Sequence, residues 1–249
     1  MIEKMMMSIE NSDKLIVALD VDQPARALEL HQALRDCVGT FKIGMQLFTA
    51  AGPDLVRKIV ASGSRVFLDL KYHDIPNTVA QAAVEATRLG VSMFNVHASG
   101  GREMMERTRQ AVAEAAAREG LAAPIILGVT VLTSSDAETL KQLGINDAPG
   151  QLVQRLATLT KSSGLDGVVA SAHEIKLIRE TVAAHDFVIV CPGIRSAKDP
   201  ADDQRRTMAA GDAIRAGADY IVVGRPILQA DSPGKAALAF QQEIGTATN

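Results

Sequence analysis

Short runs rich in Val, Ile, Leu and Phe punctuate the chain eight times: KLIVALD, FKIGMQLF, RVFLDLK, SMFNVHA, PIILGVTVL, DGVVAS, FVIVCPGI and YIVVGRP. Between them lie stretches whose apolar residues recur at helical spacing, among them PARALELHQALRDC, GPDLVRKIVASG, NTVAQAAVEATRLG and GREMMERTRQAVAEAAAREG. Strands that are apolar almost throughout are buried on both faces, and the helices between them are the crossovers that parallel pairing requires. Eight βα units in 249 residues match the (β/α)8 barrel, which typically takes about 250 residues. An open doubly wound sheet is the competing arrangement, but it would place a GxGxxG turn after its first strand and the chain has none there. The expected fold is α/β, a single-domain (β/α)8 TIM barrel over residues 13–249 with a flexible tail over residues 1–12.

Composition narrows the function. A content of 47% hydrophobic and 22% charged residues suits one sizeable core. The net charge of -3 and pI near 6.0, with no block of five like charges, offer nothing to a nucleic acid or a membrane surface, so the expected partner is a small molecule. Cys37 and Cys191 form no metal-ligand spacing and suit a reducing compartment. The opening MIEKMMMSIENS lacks the basic and apolar regions of a secretion signal, and no apolar run approaches the roughly 18 residues of a membrane span. The cytoplasm is the expected location.

In barrels of this type ligands meet the C-terminal ends of the strands. There the first run ends in Asp20, and the second carries Lys42 near its start. The third ends in Asp69 and Lys71 with Asp74 beyond, and the fourth in Asn95 and His97. The fifth leads to Thr130 and Thr133, the seventh to Gly193 and Arg195, and the eighth to Gly224 and Arg225. Alternation puts Phe67, Asp69 and Lys71 on one face of their strand and Leu68 and Leu70 on the other. Charges taken out of water at a strand end are costly unless paired, so Asp69 and Lys71 are either a structural ion pair or groups that serve chemistry. Loops after the seventh and eighth strands commonly hold phosphate, and GRP supplies a glycine for close approach and an arginine for bidentate pairing. A phosphate ester is the expected substrate.

The stretch DLKYHDIPNTV, with its Asp-x-Lys-x-x-Asp pattern, resembles the signature of orotidine 5′-monophosphate decarboxylases of bacterial type. GVTVLTS, CPGIR, Gln204 in DDQRR and VVGRPI are similar to that family's other motifs in the same order, from about Asp13 to about Ile227. The resemblance implies a cofactor-free and metal-free decarboxylation of orotidine 5′-monophosphate to uridine 5′-monophosphate. Departure of carbon dioxide from C6 leaves an electron pair that the ring carbonyls cannot delocalise, so a local cation must stabilise it. The implied catalytic residues are Lys71, which stabilises and then protonates the carbanion, with Asp69, Asp74 and Lys42 holding the charge network. Asp69 beside the departing carboxylate would add ground-state destabilisation. Substrate binding falls to Asp20, Lys42, Asp69, Ile75, Thr78, Thr133, Arg195, Gln204, Gly224 and Arg225. In that family Asp74, Ile75 and Thr78 serve the neighbouring subunit's site, which implies a homodimer with shared active sites. RSAKDPADDQRR, polar and without apolar periodicity, reads as a loop that closes over the phosphate.

Two other readings compete. A sugar-phosphate lyase or decarboxylase built on the same framework would hold Mg²⁺ through an acid near the second strand, where this chain has FKIGMQ with Lys42 and no acid. A catalytically silent nucleotide-binding barrel would not need every charged group of the reaction. His73 and His97 are given no catalytic role. Turnover should persist unchanged in excess EDTA; a requirement for Mg²⁺ would move the chain to the sugar-phosphate branch.

Overall fold

The computed structural model describes residues 13–184, 186–195 and 207–248. The tail expected over residues 1–12, Gln204 and nearly all of the RSAKDPADDQRR stretch lie outside the described residues. Ten strands occur among them: β1 (Leu15–Ala18), β2 (Thr40–Gly44), β3 (Arg65–Tyr72), β4 (Met93–His97), β5 (Ile125–Val129), β6 (Gly167–Val169), β7 (Val188–Cys191), β8 (Ile194–Arg195), β9 (Met208–Ala209) and β10 (Tyr220–Val223). Eight of them close into a parallel barrel in the order β1-β10-β7-β6-β5-β4-β3-β2, while β8 and β9 form a separate parallel pair. Each of the eight apolar runs supplies one barrel strand. The helices are α1 (Pro24–Leu34), α2 (Met45–Ala51), α3 (Pro53–Ala61), α4 (Pro76–Arg88), α5 (Gly101–Glu119), α6 (Ala137–Gln142), α7 (Pro149–Ser162), α8 (Ile175–Val182), α9 (Ala210–Ala216), α10 (Arg225–Leu228) and α11 (Pro233–Thr248).

Proline marks many of these starts. Pro24, Pro53, Pro76, Pro149 and Pro233 each open a helix, where a missing N–H costs nothing and a fixed φ favours the turn. The run FKIGMQLF divides differently from expectation: β2 ends at Gly44 and Met45 already begins α2. Lys42 is consequently the third of five strand residues and not near the start.

Alternation along the strands sorts side chains into two cores. Leu15, Val17, Phe41, Ile43, Val66, Leu68, Phe94, Ile189 and Ile221 point outward and pack under the helices. Ile16, Ala18, Phe67, Met93, Leu127, Val129, Val169, Val190 and Val222 fill the barrel interior. The interior is a packed apolar plug, and polar side chains that face inward above it are raised to the C-terminal mouth.

The opposite face is tied by a device used twice. Asp166, just before β6, accepts a 2.8 Å hydrogen bond from the Ile126 amide on β5 and pairs with Arg109 of α5 at 2.9 Å. Asp219, just before β10, accepts a 2.7 Å bond from the Ile189 amide on β7 and pairs with Arg179 of α8 at 2.6 Å. Arg179 also donates to the carbonyls of Phe187 and Gly217, at 2.6 and 2.7 Å. Replacing Asp219 by Ala would leave the Ile189 amide without its acceptor and Arg179 without its counter-charge, so Asp219→Ala should lower stability by about 1–3 kcal/mol. A reduced urea midpoint at unchanged slope, with ligand binding at the far mouth unaltered, is the expected result.

Candidate active site

β2 and β3 lie side by side with Gly44 level with Asp69 and Lys42 level with Phe67. That register lifts Lys42 and Asp69 to adjacent heights on the inner wall, just above the apolar plug. Lys42 Nζ donates to Asp20 Oδ1 at 2.9 Å and approaches Asp69 Oδ2 at 3.3 Å. Lys71 Nζ donates to Asp69 Oδ1 at 2.7 Å, and Asn95 Nδ2 donates to the same oxygen at 2.7 Å. The result is one chain of alternating charge, Asp20–Lys42–Asp69–Lys71. Its middle is nearly dry, with the Lys42 and Asp69 side chains only 11% and 12% exposed, whereas Asp20 at 54% meets solvent. A Cβ on Gly44 would lie 3.1 Å from Lys42 Nζ, so the bare backbone there makes room for the ammonium.

Burial opposes both inner charges, and the network reverses it. Burial alone would raise the Asp69 carboxyl, but the ammoniums of Lys42 and Lys71 and the hydrogen bonds from Lys71 and Asn95 hold it below the usual carboxylate range. Burial would lower the Lys42 ammonium, yet Asp69 and Asp20 raise it above its ordinary value. Both groups therefore stay ionised through neutral pH. His97 is driven the other way, first by burial and then by His73 and Lys71, and its imidazole is held below the usual value. His73 is exposed and its ring lies tilted 5.3 Å from that of His97.

The network forms one wall of a cavity of about 490 Å³ that opens at the C-terminal ends of the strands. Thr133, Arg195, Gly224 and Arg225 line the same cavity as Asp20, Lys42, Asp69 and Lys71, so eight of the expected site residues converge from six barrel loops and strands. Gln46, Pro192 and Pro226 also line it and were not named as site residues, although Pro192 and Pro226 sit within the CPGIR and VVGRPI stretches. Asp74, Ile75 and Thr78 do not reach it. Asp74 and Ile75 are exposed at the turn from β3 into α4, Ile75 at 66%, and Thr78 is exposed in the first turn of α4; Asp74 Oδ1 accepts the Ile75 amide at 2.6 Å. Asn95 was visible as the one amide in an apolar strand, but its two hydrogen bonds were not. Among the described residues no group of three or more His, Cys, Asp or Glu side chains is arranged to hold a metal ion.

A mouth of this shape can take a ligand with an anionic end at Arg195 and Arg225 and present its far end to Lys71. A family model described as Orotidine 5'-phosphate decarboxylase / HUMPS family matches residues 13–240. The chain is 52% identical over 241 residues to an orotidine 5'-phosphate decarboxylase of Syntrophotalea carbinolica, covering 97% of this chain and 98% of the relative. It is 51% identical over 232 residues to the protein of that name from Geobacter sulfurreducens, covering 93% and 96%. Among solved structures, orotidine 5'-phosphate decarboxylase from Lactobacillus acidophilus superposes with a TM-score of 0.81 at 36% identity, covering 93% of this chain and 98% of that one.

The electrostatics give a direct test. Lys42→Met removes one of the two cations that depress the Asp69 carboxyl while burial persists, so Asp69 should titrate at higher pH than in the native protein. A depressed carboxyl contributes stability that is present above its unfolded value, about 3.9, and lost as pH falls through the folded one. The variant should accordingly lose its acid tolerance sooner, and carboxyl NMR of Asp69 should follow the upward move. An unmoved Asp69 titration would mean that Lys42 does not set its charge.

Proposed function

The chain belongs to the Orotidine 5'-phosphate decarboxylase / HUMPS family, and from that membership we propose that it converts orotidine 5′-monophosphate to uridine 5′-monophosphate and carbon dioxide, the closing step of UMP synthesis. The observation that carries the reading is the Lys42–Asp69–Lys71 chain on the cavity wall, with a second lysine where a metal-dependent relative would need an acid. The C6–carboxylate bond breaks, carbon dioxide leaves, and the electron pair stays at C6. The Lys71 ammonium, fixed by Asp69, is a preorganised cation for that charge and then gives C6 its proton. Lys71 is left as an amine and recovers a proton from water. Asp20 and Lys42 take ribose hydroxyls, Thr133 takes the pyrimidine, and Arg195, Gln204, Gly224 and Arg225 take the phosphate.

Two chains complete the site in this reading. Asp74, Ile75 and Thr78 are turned out to solvent beside the mouth, which supports their serving a partner's cavity in a two-fold dimer. Residues 13–249 act as one catalytic domain. The location proposed is the cytoplasm, in keeping with two free thiols, Cys37 and Cys191, and with no helix long and apolar enough to span a membrane among the described residues.

Loss of orotidine 5′-monophosphate absorbance under purified protein tests the reaction. Lys71→Ala should lower kcat by about a thousandfold or more while still binding uridine 5′-monophosphate; turnover within tenfold of native would place the proton donor elsewhere. Mixing Lys71→Ala with Asp74→Ala should restore about a quarter of native activity, because half of randomly exchanged dimers are mixed and one of their two sites is whole. Exchange without recovery would put Asp74 in its own chain's site.

A further inference from the structure

β3 and β4 do not pair continuously. Leu68 lies opposite Phe94 and Tyr72 lies opposite Val96, so Asp69, Leu70 and Lys71 all face the single residue Asn95. Such an irregularity lets a strand re-aim its side chains, and it strips the extra residues of their ladder partners. Lys71 absorbs the excess by adopting φ 51°, one of two non-glycine residues with positive φ among those described. A lysine in the left-handed region persists only when its surroundings hold it there. The left-handed turn keeps the Lys71 side chain on the cavity side with Asp69.

Asn95 is what holds it. The residue is fully buried, and its side chain occupies the gap in the ladder. Its Oδ1 accepts the Lys71 backbone amide at 2.8 Å, and its Nδ2 donates to Asp69 Oδ1 at 2.7 Å. The amide orientation is forced, since the Lys71 N–H can only donate and the ionised Asp69 carboxylate can only accept. The oxygen that Asn95 grips is the one that binds the Lys71 ammonium. One side chain thus fixes both ends of the Lys71–Asp69 contact, the backbone that carries the ammonium and the carboxylate that receives it. Leucine offers neither bond, aspartate offers only the acceptor, and a hydroxyl is too short to span both.

We propose that Asn95 is a positioning residue for the decarboxylation, acting through the backbone of Lys71 and the carboxylate of Asp69 without touching the substrate. The proposal rests on the function proposed above and adds a residue to it. Displacing a reacting group by about 1 Å can cost on the order of a hundredfold in rate, and that is the scale of loss expected when the strut is removed.

Asn95→Ala should lower kcat per folded molecule by about a hundredfold, with affinity for uridine 5′-monophosphate within about threefold of native, since the phosphate and ribose contacts remain. Its crystal structure should show Lys71 leaving the left-handed region or its ammonium leaving Asp69. Asn95→Asp keeps the volume and the acceptor and serves also if the Ala variant does not fold. Above the carboxylate range its new negative charge faces Asp69; on acidification one proton shared by the two restores a donor, so its turnover relative to native should rise as pH falls. The charged and titratable groups around the position are Asp69 and Lys71 on β3, Lys42 on β2 acting through Asp69, and His97 on β4 itself. All are common to the native protein and the Ala variant, so measuring the three side by side isolates the introduced carboxylate. Native kcat per folded molecule in Asn95→Ala, with Lys71 unmoved, would overturn the proposal, as would an Asn95→Asp profile parallel to native. If the native protein itself fails to turn over orotidine 5′-monophosphate, the proposed function falls, and the Lys71 backbone in the Asn95 variants still decides whether Asn95 positions it.

Discussion

A carboxylate that is nearly cut off from water must be matched by cations, and in this barrel Asp69 is matched twice, by Lys42 at 3.3 Å and by Lys71 at 2.7 Å. Lys42 is itself nearly buried, and Asp69 and Asp20 offset the cost of its burial. Lys42 and Asp69 keep each other ionised, because neutralising either would leave the other's charge poorly compensated in a low-dielectric wall. Asp20 extends the alternation to solvent, which balances the chain at two charges of each sign. The arrangement supplies a fixed cation in a dry site, and the fixed orientation is what a reaction that develops an undelocalised carbanion demands of it.

The rest of the fold serves that network by dividing labour along the barrel axis. Apolar side chains fill the interior below the charges, from Ile16 and Met93 up to Phe67 and Val129. At the far face Asp166 and Asp219 tie amides of neighbouring strands to arginines from outer helices. Apolar burial lies in the interior plug and in the larger layer between strands and helices, and against that scaffold the mouth can tolerate buried charge and a strained lysine. The irregular pairing of β3 with β4 belongs to the same division: it weakens the sheet at one point and aims Lys71 into the cavity.

Much of this was legible beforehand. Eight apolar runs became eight barrel strands because a strand buried on both faces leaves a continuous apolar signature. Asp20, Lys42, Asp69 and Lys71 could be assembled in advance because the C-terminal ends of parallel strands converge whatever the loops do. The less readable features depended on residues far apart in the chain. FKIGMQLF looked like one strand because Met45, Leu47 and Phe48 are as apolar as Phe41 and Ile43, and the change from strand to helix at Gly44 depends on packing outside the barrel. Gln46 lies outside every motif the sequence offered and joins the site only through the shape of the cavity.

The sequence by itself determined the parallel barrel, the end at which its chemistry lies, and the identity of the charged groups, since periodicity and residue type are local properties that survive without coordinates. Tertiary structure alone decided how those groups are paired. Simple alternation does place Lys71 beside Asp69, but the chain gets there through a left-handed lysine and three residues set against Asn95, 24 positions away in the chain. Ladder register and the satisfaction of a freed amide are set by which strand lies alongside, and no local pattern encodes a neighbour that the fold has yet to bring into place.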